Sequence, residues 1–137
     1  MSESNNKNKL KALVVEDNIL TQRLVGIFLE KLGFDSVMLE NGQEAIKEVK
    51  ETKFDIIFLD IMMPKLDGYE TCKIIKTDKN SKDIPVIMLT SNDGFFDKIK
   101  GKRAGTDVYL TKPVKYDEIV ETIKKFFPDV KEQEDRH

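Results

Sequence analysis

Three carboxylates in this sequence stand where apolar runs stop. Leu10 to Val15 gives way to Glu16 and Asp17, and Phe54 to Leu59 gives way to Asp60. If those runs lie in one sheet, the three acids meet at one edge, where unit charges ~4 Å apart repel by roughly 4 kcal/mol at an effective dielectric near 20. Such a cluster calls for a cation. Mg2+ is the natural candidate, since it accepts hard oxygen ligands, keeps several waters and takes one or two carboxylates plus a phosphoryl oxygen. Histidine or thiolate metals lack ligands here, because Cys72 and His137 are the only residues of their kinds. The apolar run Ile84 to Leu89 ends at Thr90, and Val108 to Leu110 is followed by Lys112, which adds a hydroxyl donor and an ammonium to the same edge. Both suit a phosphoryl group. Any one of these residues could be a solvated strand-end charge; five at successive strand ends point to a crevice that handles phosphate and metal.

The elements that must position them form a repeating pattern. After Glu16 and Asp17, the apolar residues Ile19, Leu20, Leu24, Ile27, Phe28 and Leu32 recur at helical spacing before Gly33. A strand then a helix recur as Ser36 to Leu39 with Gln43 to Val49, and Phe54 to Leu59 with Tyr69 to Ile75. Two more units follow, Ile84 to Leu89 with Phe95 to Ile99, and Val108 to Leu110 with Tyr116 to Phe127. The runs at 54–59 and 84–89 are almost continuously apolar, as in strands covered on both faces. Right-handed crossovers then predict an α/β, three-layer, doubly wound five-stranded parallel sheet, whose ligands collect outside the carboxyl ends of the strands.

The 137 residues suffice for one domain with one core. Residues 1–9 are polar and Asn-rich and residues 128–137 are largely charged, so both ends are expected to be tails, disordered at the N-terminus, around a domain at 10–127. With 23 Lys and Arg against 25 Asp and Glu, no basic excess exists to neutralise a nucleic-acid backbone, and direct nucleic-acid binding is not expected. One cysteine cannot form an internal disulfide, and the N-terminus has no apolar stretch for a signal peptide or membrane span, so a cytoplasmic location without membrane insertion is expected. Cys72, three residues before Ile75, suits a core position. Gly68 and Gly105 are expected to be turn residues at positive φ.

The segments VVEDN (14–18), LDIMMPKLDG (59–68), MLTSND (88–93) and YLTKP (109–113) resemble the receiver domains of bacterial response regulators. Singly they are weak, but 30 positions from Asp60 to Thr90 and 22 from Thr90 to Lys112 are specific together. The resemblance implies a flavodoxin-like sheet of order 2-1-3-4-5 and Asp60 as the phosphoacceptor. It further implies Asp17 as a direct Mg2+ ligand, Glu16 acting largely through metal-bound water, and Met62 as a ligand through its backbone carbonyl. Thr90 and Tyr109 become the switch pair, with Lys112 set by a cis bond to Pro113. Met62 and Asn92 would flank the path of the hydrolytic water.

Partners implied are a sensor histidine kinase or a histidine phosphotransfer protein, and a downstream output protein at the face formed by residues 94–125, where Phe95, Phe96 and Ile99 are the most apolar. With no output domain expected after residue 127, the message must leave through protein contacts. The segment 91–113 is similar to stand-alone regulators of type IV pilus motility and phototaxis. A phosphorelay intermediate passing phosphate to a histidine is the alternative. A small-substrate phosphatase using the same crevice has no substrate-pocket motif to support it; the chain is expected to be a signalling domain and not an enzyme, although it would assist its own phosphorylation and dephosphorylation.

Overall fold

The computed structural model describes residues 9–63, 66–91 and 98–133. Strands β1 (Leu10–Val15), β2 (Phe34–Leu39), β3 (Ile56–Asp60), β4 (Val86–Thr90) and β5 (Val108–Thr111) alternate with helices α1 (Ile19–Lys31), α2 (Gly42–Glu51), α3 (Gly68–Thr77), α4 (Lys98–Ala104) and α5 (Tyr116–Phe126). All strand pairs are parallel, in the order β2-β1-β3-β4-β5. This is the doubly wound, flavodoxin-like sheet.

Period-2 alternation along the strands builds two cores. Leu13, Val15, Ile57, Leu59 and Met88 face a layer containing Ala45 and Val49 of α2, Cys72 and Ile75 of α3, and Ala104 of α4. Ala12, Val14, Ile56, Phe58, Ile87 and Leu89 face Val25 and Leu29 of α1 and Ile119 and Ile123 of α5. Because β3 and β4 are buried along their whole length, neither face tolerates polarity, which explains their unbroken apolar runs. The outer strand β5 alternates between half-buried and exposed residues.

Asn18, Asn41 and Asp67 start α1, α2 and α3, each accepting the N–H three residues on, at 2.9–3.0 Å. These caps satisfy donors that the first helical turn leaves open. Among the described residues no helix is long and apolar enough to cross a membrane.

Several expected details differ. β2 begins two residues before Ser36, directly after Gly33 at φ +84°, and β3 and β4 each begin two residues later than their apolar runs. The described part of the fourth helix runs on to Ala104, where Gly101 and three basic residues dilute the apolar period; Phe95 and Phe96 lie outside the described residues. Gly105 has φ +92°, but Gly68 does not have positive φ and is the first residue of α3. Its need for glycine is space: a Cβ there would collide with the Asp60 carbonyl and lie 2.7 Å from Ile61 Cα. Of the expected N-terminal tail only Lys9 is described, in an exposed 3.3 Å pair with Asp35.

The segment after α5 is more engaged than its composition suggests. Val130 packs against the α1 and α5 core, Tyr116 donates to Glu132 at 2.6 Å, and the Gln133 N–H donates to the Lys31 carbonyl at 2.7 Å. Residues 128–133 therefore do not behave as a free tail, since one apolar side chain, one side-chain hydrogen bond and one backbone hydrogen bond suffice to fasten them.

Candidate functional site

Strand register gathers the five expected residues at one sheet edge. Val15 lies opposite Leu59, so Glu16 follows at the level of Asp60; Asp60 pairs with Leu89, and Thr90 with Thr111, one residue before Lys112. The Lys112 N–H donates to the Thr90 carbonyl at 2.6 Å, and the Ile61 N–H to Leu89 at 3.1 Å, extending the ladder past the strand ends. The Lys112–Pro113 peptide is cis.

Glu16 is fully buried, Asp60 is 2% exposed, and Asp17 is exposed. One carboxylate oxygen from each lies within 4.8 Å of the others. The Lys112 ammonium donates to Glu16 Oε1 at 3.0 Å and lies 3.2 Å from Asp60 Oδ1. Glu16 Oε2 accepts the Asn18 N–H at 2.9 Å, and Asp60 Oδ1 accepts the Met62 N–H at 3.2 Å.

Burial pushes the Glu16 carboxyl up to about 7; the Asn18 N–H opposes this, the Asp60 charge adds to it, and Lys112 opposes it. Burial alone would lower the Lys112 ammonium, but its hydrogen bond to Glu16 and the two carboxylate charges outweigh that and hold it above its usual range. Lys112 is thus a fixed positive charge shared by two buried acids.

Thr90 is buried at the end of β4, its hydroxyl donating to the Ser91 carbonyl at 3.1 Å. Tyr109 stands outside this group, 43% exposed on the edge strand β5. The Met62 side chain is exposed beside Asp60, and Asn92 lies outside the described residues. An open cleft of about 510 Å³ leads from Asp17 past Met62 and Met63 to Tyr69 and Lys100.

The three carboxylates fit a hard divalent cation: all their donors are oxygen, they converge without crowding, and two of them are held by N–H groups and Lys112 while Asp17 faces the cleft. Two contributors escaped the sequence pattern. Asn18 entered the sequence pattern only as the last residue of VVEDN, and neither its helix-cap role nor its bond to Glu16 was visible there. Gln22, inside α1, gave no signal; it donates to the Glu16 carbonyl at 2.8 Å.

Residues 12–124 match the model of the response regulator receiver domain. Protein PilG of Pseudomonas aeruginosa is 44% identical over 119 residues, covering 87% of this chain and 88% of PilG. Several further relatives, transcriptional regulatory proteins among them, are longer, and this chain spans about half their length. Among solved structures, the receiver domain of sensor histidine kinase PA1611 from Pseudomonas aeruginosa, with a magnesium ion coordinated in its active site cleft, superposes with a TM-score of 0.80 at 29% identity. That match covers 88% of this chain and 99% of the other. The receiver domain of Saccharomyces cerevisiae Ssk1, solved with the histidine phosphotransfer protein Ypd1, does so with a TM-score of 0.76 at 31% identity, covering 86% and 88%.

Proposed function

This chain belongs to the response regulator receiver domain family, and from that premise we propose that Asp60 accepts a phosphoryl group from a phosphohistidine on a sensor histidine kinase or histidine phosphotransfer protein. The observation that carries the proposal is the Lys112 ammonium held between the buried Glu16 and Asp60 carboxylates.

In the transfer, an Asp60 carboxylate oxygen forms the new bond to phosphorus as the bond to the donor imidazole nitrogen breaks, and that nitrogen keeps the electron pair. Lys112, already protonated and within reach of Asp60, offsets charge on the equatorial oxygens. The Thr90 hydroxyl lies one strand away and turns from the Ser91 carbonyl to a phosphoryl oxygen. Asp17, Asp60, the Met62 carbonyl and, through water, Glu16 would hold Mg2+, which would supply further positive charge to the transfer when bound. The cleft beside Asp17 and Met62 gives the donor its approach.

Thr90 movement vacates space that Tyr109 fills by turning inward, which changes the surface around α4, β5 and α5 read by an output partner. Similarity to PilG along nearly both full lengths supports a motility role. The likeness to Ssk1 supports the relay alternative, in which Asp60 exchanges phosphate with a histidine-bearing protein. Binding partners captured with phosphorylated and unphosphorylated protein separate the two.

Incubation with acetyl phosphate and Mg2+ is expected to add the mass of one phosphoryl group to the intact protein, and Asp60→Asn to abolish the addition. An unshifted parent mass, or a shifted Asp60→Asn mass, overturns the assignment. Asp17→Asn is expected to lose most of the Mg2+-induced rise in melting temperature, because a cation bound only by the folded state stabilises it by mass action; an undiminished rise places the metal elsewhere.

A further inference from the structure

Helix α1 turns Val25 and Leu29 toward the sheet, and with them the amide of Gln22, a polar group in an otherwise apolar row. A buried amide is retained at a cost unless its hydrogen bonds are met. The Gln22 Nε2 donates to the Glu16 carbonyl at 2.8 Å and, at 3.5 Å, to that of Leu39, which also accepts the Glu16 N–H at 2.9 Å. The Gln22 backbone N–H donates to the Asn18 carbonyl at 3.0 Å. One residue therefore braces the loop of Glu16, Asp17 and Asn18 at both ends, from the inside.

We infer that Gln22 is a positioning residue for the acid pair: by holding the Glu16 carbonyl it fixes the backbone from which the Glu16 and Asp17 carboxylates project, so that the metal finds them already set. The need is physical. Three carboxylates within 4.8 Å repel one another, and a loop free to swing would relax by moving its acids apart. Groups that orient ligands without touching the metal typically govern about 10- to 100-fold in metal affinity.

The inference rests on the Mg2+ site proposed above, and its test separates the two. Gln22→Met keeps side-chain length and removes the donor. Mg2+ is titrated into unphosphorylated parent and variant by calorimetry, alongside melting temperatures in metal-free buffer. The expected result is a dissociation constant raised about 10-fold. With acetyl phosphate, the Mg2+ concentration giving half the maximal phosphorylation rate rises correspondingly, while the rate at saturating Mg2+ is retained. A Gln22→Met protein with the parent's Mg2+ affinity overturns the inference whatever its melting temperature, since a purely structural brace would change only the latter. Should that variant not fold, the parent alone decides: the Gln22 side-chain amide resonances must shift with the same Mg2+ midpoint as the Glu16 and Asp17 backbone amides, and unmoved resonances overturn it. A parent without any Mg2+ response overturns both this inference and the site it rests on.

Discussion

Replacing Lys112 by Met retains the stem of the side chain, removes its charge, and leaves Glu16 and Asp60 facing one another without their shared counter-ion. At an effective dielectric near 20, the 3.0 Å contact to Glu16 is worth about 5.5 kcal/mol gross and the 3.2 Å contact to Asp60 about 5 kcal/mol. The two carboxylates, with oxygens no more than 4.8 Å apart, repel by about 3.5 kcal/mol on the same scale. Much of the gross attraction is offset by desolvation of three charges, so the expected net loss is that of a broken buried pair, about 3–5 kcal/mol. Lys112 keeps some contact with solvent, which favours the lower end: about 3 kcal/mol, or roughly 10 °C in melting temperature for a chain of this size. Urea unfolding with a chelator present reads it directly, at about pH 8, where Glu16 of the parent is largely ionised; without Lys112 that carboxyl is pushed higher and sheds part of the repulsion by taking up a proton, which again favours the lower end. Asp60→Asn supplies the control: in the Lys112→Met background it removes only repulsion and is stabilising, whereas in the parent it also forfeits the contact with Lys112. A loss under about 1 kcal/mol, the size of an ordinary surface pair, or an Asp60→Asn effect equal in both backgrounds, would refute this electrostatic account.

Three more expectations follow from other groups. Met62 lies exposed beside Asp60 and its thioether cannot usefully orient water, so the acyl phosphate should be long-lived. Met62→Asn, and Asn92→Glu at a position outside the described residues, should hasten its decay, the latter by up to about 10²-fold if the carboxylate acts as a base; unchanged half-lives in both variants reject this. The Cys72 thiol is buried, donates to the Ala104 carbonyl at 3.3 Å, and is pushed up by burial to about 11, so a thiol reagent should label it only on unfolding; prompt labelling of native protein would contradict the packing. Burial and then the hydrogen bond to Glu132 push the Tyr116 phenol up to about 12 from 10.0. A pKa raised in the folded state means stabilisation fully present below pH 10.0 and lost as pH rises through about 12. Tyr116→Phe should lack that share of the alkaline loss, and an identical stability profile for parent and variant would show that the clamp to Glu132 does not form.

The strand ends were legible because burial on both faces writes β3 and β4 as unbroken apolar runs, so a carboxylate or hydroxyl closing the run stands out. Their assembly into one crevice also followed, since parallel strands must deliver their carboxyl ends to the same edge. What stayed hidden depended on tertiary contact. Gln22 occupies an ordinary helical position, and only the chain crossing beneath it, at Glu16 and Leu39, gives its amide something to hold. Gly68 read as a turn glycine because sequence distinguishes poorly between a glycine needed for φ and one needed for close approach to a backbone. The segment around Val130 read as a tail because seven of the nine residues from Asp129 to His137 are ionisable acids or bases, and the composition conceals one valine that reaches the core. The short helix α4 was blurred by its basic residues, and β5 by an edge position that leaves half its side chains in solvent.

The bridge from Lys112 to Glu16 closes a span of 96 residues, and that span has a consequence during synthesis. β1 and β3 are neighbours in the sheet, so their acids can meet as soon as both strands have left the ribosome. The cation that reconciles them is encoded on the far side of β5 and arrives 52 residues after Asp60, about 3–10 s later at ordinary elongation rates. A nascent chain in that interval carries Asp60 without its neutralising lysine. The last strand to emerge is therefore the one that delivers the counter-charge of the crevice, so the acid pair is assembled first and reconciled last.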